Sequence, residues 1–424
     1  MISRRRWWFN RRRLRLRRRL PLRHAGHSRT WSRACWFGIH GFTRWRCGAT
    51  CDSGASAMAR IAYVDHSFHQ TTLSTAFLPE LLRRNGHVVD AFWDEGWKGG
   101  AAVPWAAVAS HDVVIMFQSF CDTQGMRFRQ AHPNVIYIPM LDQFGFWLGP
   151  MFNLSAFWEV FQGSKVLNFS SALHCLTTGF GIASHFVRYH PVPVEMPAPR
   201  RSGLHGFFWL RREIQLNWTT VRNLIGDTKF DSFHIHLSTD PGTPPAVLPH
   251  PEDVLRHGIT TSTWFEDKSE LDAVMQRANV YFAPRPGEGI GQSFLEAMGR
   301  GQCVVAPDQG TMNEYIVPGV NGLLYDLDKP APLDFSSVAE LGNQARAGAL
   351  VGRRLWENAE QDLLRFVLEP SESLYVGKYR HAAAEISPVA ASGLRGLAQR
   401  HPLFKVTRPI WHPLLRTARK LVGR

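Results

Sequence analysis

Residues 279–301 read NVYFAPRPGEGIGQSFLEAMGRG, and the order of residue types in them decides the fold. Positions 279–283 have the β-branched and aromatic character of a short buried strand, Pro284 to Gly287 break it, and 292–299 read as a helix. Between strand and helix lies Glu288-Gly289-Ile290-Gly291. The two glycines let the backbone approach a ligand closely, and the first-turn N–H groups of the helix, at the positive end of its dipole, suit an anion such as a phosphate. If the helix begins near Gly291, Gln292 and Glu296 stand one turn apart on one face and lean back toward the loop. Glu296 is then a bidentate acceptor for sugar hydroxyls, and Glu288 faces a second polyol. A solvated helix face is the competing reading of these residues, and the rest of the chain decides between them.

The stretch resembles the donor-site motif of retaining GT-B glycosyltransferases of family four, E-G-x-G-x-x-x-L-E-A-M-A-x-G, which here reads EGIGQSFLEAMGRG. The similarity continues through a strand from Cys303 to Ala306 and through TMNEYI and PGVNGLLYD, which match that family's G-x-P-E-V-I and D-G-V-N-G-L-L-V segments, about 50 residues in all. The resemblance implies an α/β GT-B fold, two doubly wound Rossmann-like domains facing a cleft. It implies a nucleotide-sugar donor as co-substrate, no cofactor, no metal, and transfer with retention to a glycan, lipid-linked or small-molecule acceptor. On the same footing Glu288 is a catalytic candidate holding a donor-sugar hydroxyl, Glu296 takes the ribose hydroxyls, and the backbone of Gly289, Ile290, Gly291 and Gln292 holds the diphosphate with Arg211 or Arg212. Glu314 lines the same pocket. The family commonly has G-R-L-x-x-x-K after the first strand of its second domain; five positions beyond Arg211 and Arg212 this chain has Leu216 and Asn217, so the second cation is missing from that spacing.

With 424 residues the chain is long enough for two domains and appendages. Its formal charge of +14 is concentrated at the ends: residues 1–57 hold 15 Arg against a single acid, Asp52, and removing them leaves as many basic as acidic residues. A high pI therefore does not mark the body as a binder of nucleic acid. The six cysteines form no CxxC pair, and Cys47 and Cys51 give an incomplete zinc pattern, which fits a reducing compartment. No apolar run reaches the ~18 residues that span a bilayer.

The expected division is an Arg-rich segment at 1–57, an acceptor-side domain at 58–195, a linker at 196–204 in a Pro- and Arg-rich stretch, a nucleotide-sugar domain at 205–368, and a closing segment and basic tail at 369–424. Residues 61–64 read as the first strand, followed by a polar turn, a helix through Leu82 and a strand at 88–93, a β-α-β unit. Further strands are expected at 112–117, 134–138, 165–169, 186–189, 206–210, 234–237 and 259–265, and an amphipathic closing helix at 356–367. His66 and His69 fall in the loop after the first strand, where open α/β sheets place ligand contacts, and His66 is taken as a second catalytic candidate. Asp142 has a similar standing, and Phe144, Phe146 and Trp147 either stack on a sugar or pack in the core. Asp326-Leu327-Asp328 spells D-x-D but reads as a solvated turn rather than a metal site.

Two rivals share these residues: a nucleotide-sugar epimerase on the same fold, and a non-enzymatic nucleic-acid- or membrane-binding protein driven by the basic ends. The expected place of work is the cytoplasm, with peripheral contact at the inner membrane face through the apolar and basic residues of 405–424. Residues 1–57 lack the apolar core of a secretory signal; a transit peptide or an RNA-binding arm are readings of their composition. The favoured reading is that translation starts at Met58, because Met58-Ala59-Arg60 runs straight into the first strand. Mass spectrometry of native protein is expected to find Met58 or Ala59 at the amino terminus, and peptides from residues 1–50 would refute it.

Overall fold

A computed structural model of the chain describes residues 58–96, 99–118, 132–146, 154–159, 161–195, 202–239, 243–265 and 267–374. The Arg-rich segment, the tail from 375 onward, Trp147 and residues 196–201 of the expected linker lie outside the described residues.

Among the described residues, twelve strands form two sheets. In the first, β1 (Arg60–His66), β2 (Val88–Asp94), β3 (Val113–Phe117), β4 (Val135–Ile138), β5 (Lys165–Asn168) and β6 (Ser184–Phe186) lie in the order β2-β1-β3-β4-β5-β6. In the second, β7 (His205–Trp209), β8 (Ser232–His236), β9 (Ile259–Ser262), β10 (Val280–Phe282), β11 (Cys303–Pro307) and β12 (Leu323–Tyr325) lie in the order β12-β11-β10-β7-β8-β9. Every strand pairing is parallel. The central strands read VVIMF, VIYI and CVVAP and are buried throughout, as parallel strands covered on both faces must be. This is the α/β GT-B architecture that the sequence implied.

Strand order fixes where ligands can sit. The first sheet reverses direction between β1 and β3, and the second between β7 and β10, so the loops leaving each of those pairs open a crevice at the carboxyl ends of the strands. His66 with Gln118, and Arg211 with the 284–291 loop, leave from those two switch points.

Several boundaries differ from the sequence reading. His66 ends β1 rather than lying in a loop, and a short helix, Phe68–Thr72, follows at once, closed by Leu73 in the left-handed region (φ 53°) before a second helix, Phe77–Arg84. The strand expected at 186–189 is Ser184–Phe186. The amphipathic segment at 356–367 is the end of one helix of 31 residues, Val338–Leu368. Its glycines obscure it in the sequence, yet they serve packing: a Cβ on Gly342 would meet the Gly301 carbonyl oxygen at 2.2 Å, and one on Gly352 the His190 ring at 2.3 Å. No helix among the described residues is long and apolar enough to cross a membrane.

That long helix ties the two sheets together. Trp356 packs edge-on against Phe77 and Tyr189 of the first half, with centroids 5.8 and 5.0 Å away, in one hydrophobic cluster shared by both sheets. The last carbonyls of a helix have no partner within it. Here Lys165, the fully buried first residue of β5, donates its Nζ to the carbonyls of Phe366, Val367 (3.0 Å) and Glu369 (2.5 Å). Asn134 donates to Val367 and Leu368, both at 3.2 Å. Burial brings the Lys165 pKa down to about 7, with the Glu369 charge opposing the shift. An ammonium has three donors for these three carbonyls, whereas a neutral amine has two. Lys165→Met is expected to cost about 2–4 kcal/mol by leaving buried carbonyls unpaired, read as a lower urea midpoint; an unchanged midpoint would show that the cap is dispensable.

Candidate functional site

Local sequence builds the 284–291 loop. Strand β10 ends at Phe282, Pro284 and Pro286 stop it, and the helix Gln292–Gly299 starts from Gly291 at φ 76°, where a Cβ would lie 2.0 Å from the Phe294 ring. Among the described residues no side chain caps that helix and no acid occupies its first turn, so nothing there offsets the positive end of its dipole. Gln292 stands first in the helix beside the Tyr189 hydroxyl of the other half. Glu296, one turn on, is partly exposed and lies 3.5 Å from the Arg300 guanidinium, which is itself paired with Asp272 at 2.5 Å.

Glu288 is buried, and its backbone N–H donates to the Gly310 carbonyl at 3.1 Å. Its carboxylate meets a group that the sequence reading missed. Arg285 places Nη1 3.5 Å from Glu288 Oε2 and 3.5 Å from Asp142 Oδ2, bridging the loop to the helix Leu141–Phe146 that follows β4. Burial raises the pKa of both carboxyls; for Glu288 the Asp142 charge adds to the rise, while Arg285 and Arg211 oppose it, and for Asp142 Arg285 and Arg212 oppose it. Arg211 stacks its guanidinium over Trp209 at 5.0 Å. The structure thus gathers Glu288, Arg211, Arg212, Asp142 and Arg285 into one charged group beside an open helix end. A charged residue between two prolines, just past a buried strand, was the available signal for Arg285.

The two halves meet closely here. A Cβ on Gly289 would lie 2.6 Å from Met140 Sδ and 2.9 Å from Met140 Cβ, and one on Gly310 would lie 2.2 Å from Leu141 Cδ2. Gly289 is therefore small for a steric reason.

His66 belongs to a second group. Its Nε2 lies 3.1 Å from Gln118 Oε1, and its ring is 3.8 Å from that of His69. Burial, followed by the neighbouring His69, lowers its pKa. The buried Asp65 is the organiser: Oδ1 accepts from the His66 backbone N–H (2.7 Å) and pairs with His69 Nδ1 (2.8 Å), while Oδ2 accepts from Thr75 Oγ1 (2.7 Å). The carboxylate-oriented imidazole is thus His69 rather than His66, with its Nδ1 held toward Asp65. Asp65, His66 and His69 also present ligand atoms within 4.8 Å of one another, a spacing that could hold a metal ion, although the Asp65 oxygens are already taken up by these contacts.

The remaining candidates lie as follows. Glu314 reaches across to the other half, accepting from Ser170 Oγ (2.7 Å) and from the backbone N–H groups of Ser171 (2.7 Å) and Ala172 (3.4 Å) at the start of the helix Ser171–Gly179. Leu216 is buried, and Asn217 caps the helix Trp218–Ile225 through Thr220 N at 3.1 Å, so neither position offers a cation. Phe144 stacks on Trp158 at 5.6 Å and is committed to the core. Asp326 accepts from the Asp328 N–H at 2.9 Å in an exposed turn.

Residues 257–333 match the family described as Glycosyl transferases group 1, which takes in the 284–291 loop, Glu296 and Glu314. By sequence, no curated protein matches the chain. Among solved structures, Anabaena HepE in complex with UDP and glucose is similar at 14% identity and a TM-score of 0.47, over 72% of this chain and 99% of that one. Sucrose-phosphate synthase from Thermosynechococcus elongatus is similar at 13% identity and 0.47, over 80% and 99%. A glycosyltransferase from Rickettsia africae is similar at 11% identity and 0.46, over 74% and 99%.

If the Gly289–Met140 contact sets the spacing of the two halves, Gly289→Ala is expected to lower the thermal midpoint, and Met140→Ala added to it to recover part of the loss. Strictly additive effects in the double variant would refute the contact.

Proposed function

We propose that this chain, a glycosyltransferase by its group 1 segment at residues 257–333, takes a nucleotide-sugar donor at the 284–291 loop and transfers the sugar with retention. The observation that carries the reading is the buried Glu288 beside an uncapped helix end and an arginine cluster, which joins a hydroxyl acceptor to an anion site. In the reaction the bond from the anomeric carbon to the diphosphate oxygen breaks, the acceptor hydroxyl oxygen bonds to that carbon, and its proton leaves for the departing phosphate. Negative charge builds on that phosphate, so fixed donors aimed at it lower the barrier. The N–H groups of Gly289, Ile290, Gly291 and Gln292, with Arg211 and Arg212, take this role. Glu296 accepts from the ribose hydroxyls and Glu288 from a donor-sugar hydroxyl.

Retention and independence of metal follow from the resemblance of EGIGQSFLEAMGRG to family-four enzymes. Glu314, through its contact with the helix Ser171–Gly179, acts in this reading on the fit of the two halves. His66 stays on the first-sheet side of the crevice as a contact for the sugar or acceptor, and the work is assigned to the cytoplasm with peripheral contact at the membrane through the tail.

Thermal-shift screening against UDP-, GDP- and dTDP-sugars is expected to single out one donor. With it, Glu296→Ala should raise KM about 10- to 100-fold, the worth of a hydrogen bond to a charged group. Glu288→Gln should lower kcat about tenfold or more. Full transfer in both variants would defeat these assignments, and a product differing only in sugar configuration would mark an epimerase.

A further inference from the structure

Resting on the donor-site reading above, we propose that Arg285 supplies the second cation for the donor diphosphate, moving to it from the Asp142–Glu288 pair and so releasing Glu288 for the sugar. The positions where a second cation would be sought by spacing hold Leu216 and Asn217. One is buried in the core of the second sheet and the other is fixed as a helix cap. The need for charge is unchanged, because a diphosphate buried in a cleft must be matched by cations and N–H donors.

Arg285 lies in the loop that the anion must approach, three residues before Glu288 and seven before the open end of the helix Gln292–Gly299. It leaves from β10, and Arg211 and Arg212 leave from β7, its neighbour at the switch point, so the three arginines lead from adjacent strands and act on the same Glu288–Asp142 pair. The Asp142 and Glu288 carboxylates each lie 3.5 Å from Arg285 Nη1, longer than the 2.7–2.9 Å of a tight charge-assisted bond. Both partner carboxyls are pushed toward protonation by burial, and Glu288 also by Asp142, which weakens their hold further. A phosphate oxygen arriving at the helix end competes with them for the guanidinium. Once Arg285 turns to it, the Glu288 carboxylate is left to accept from a hydroxyl of the sugar. Diphosphate binding and sugar recognition are coupled through this one side chain, and Arg285 is a positioning residue for Glu288 as well as a ligand contact.

The test compares the full chain with Arg285→Gln and Arg285→Lys by calorimetric titration with UDP, GDP, dTDP and ADP and with the matching nucleosides. The readout is the ratio of diphosphate to nucleoside affinity, which a purely structural role would leave unchanged. For the diphosphate that the unaltered protein binds, the ratio is expected to fall about 10- to 100-fold in Arg285→Gln and by less in Arg285→Lys, which keeps the charge but loses the fork. If Arg285→Gln does not fold, Arg285→Lys alone must show the fall. An unchanged ratio in a folded variant, or equal losses for diphosphate and nucleoside, would overturn the inference while leaving the donor site standing. Failure of the unaltered protein to bind any of the four diphosphates would sink the donor-site reading and the inference with it.

Discussion

Buried donors hold the carboxyl end of a 31-residue helix to the other half of the protein. The helix Val338–Leu368 begins beside the second sheet and ends beneath the first, where its carbonyls need donors that no water can supply. Lys165 and Asn134, at the amino-terminal ends of β5 and β4, provide them. Those ends are opposite to the strand ends that line the cleft. The fastening and the site thus occupy opposite edges of the same sheet, and the carboxyl ends are left for chemistry.

With that end fixed, the contacts across the cleft set its width. Met140 and Leu141 sit against Gly289 and Gly310, and Asp142 reaches Arg285 and through it Glu288. Glu314 adds a contact of the same kind, serving as a helix cap supplied from the opposite half. Each pairs a residue leaving the carboxyl edge of one sheet with a residue leaving that of the other, so whatever separates the halves breaks a steric fit and an ion bridge together.

Much of this was legible in the residues. The 279–301 stretch contains its own strand, break and helix in order, because prolines and glycines punctuate locally and apolar periodicity is a local property. The β-α-β unit at the start was readable for the same reason. What was hidden depends on partners far away in sequence. The long helix looked short because Gly342 and Gly352 interrupt its pattern, and only Gly301 and His190 explain them. Lys165 reads as the polar edge of a strand until the helix end above it is known. The carboxylate that orients an imidazole was missed because Asp65 lies inside an apolar strand, and its partner proved to be His69, four residues on rather than adjacent.

Glu314 and Arg285 show the same limit from two sides. Glu314 stands in a motif position, and its sequence neighbours said donor pocket; the structure engages its carboxylate with the first N–H groups of a helix from the other half, a geometry that no spacing within 257–333 could reveal. Arg285 stands at a position with no motif letter, and its meaning comes from two carboxylates, one of them 143 residues earlier. Burying two carboxylates side by side is costly unless a cation lies between them. The Arg285 guanidinium, shared by Asp142 and Glu288, offsets that cost. An arginine suits this place because its flat fork can face two carboxylates from one anchored stem.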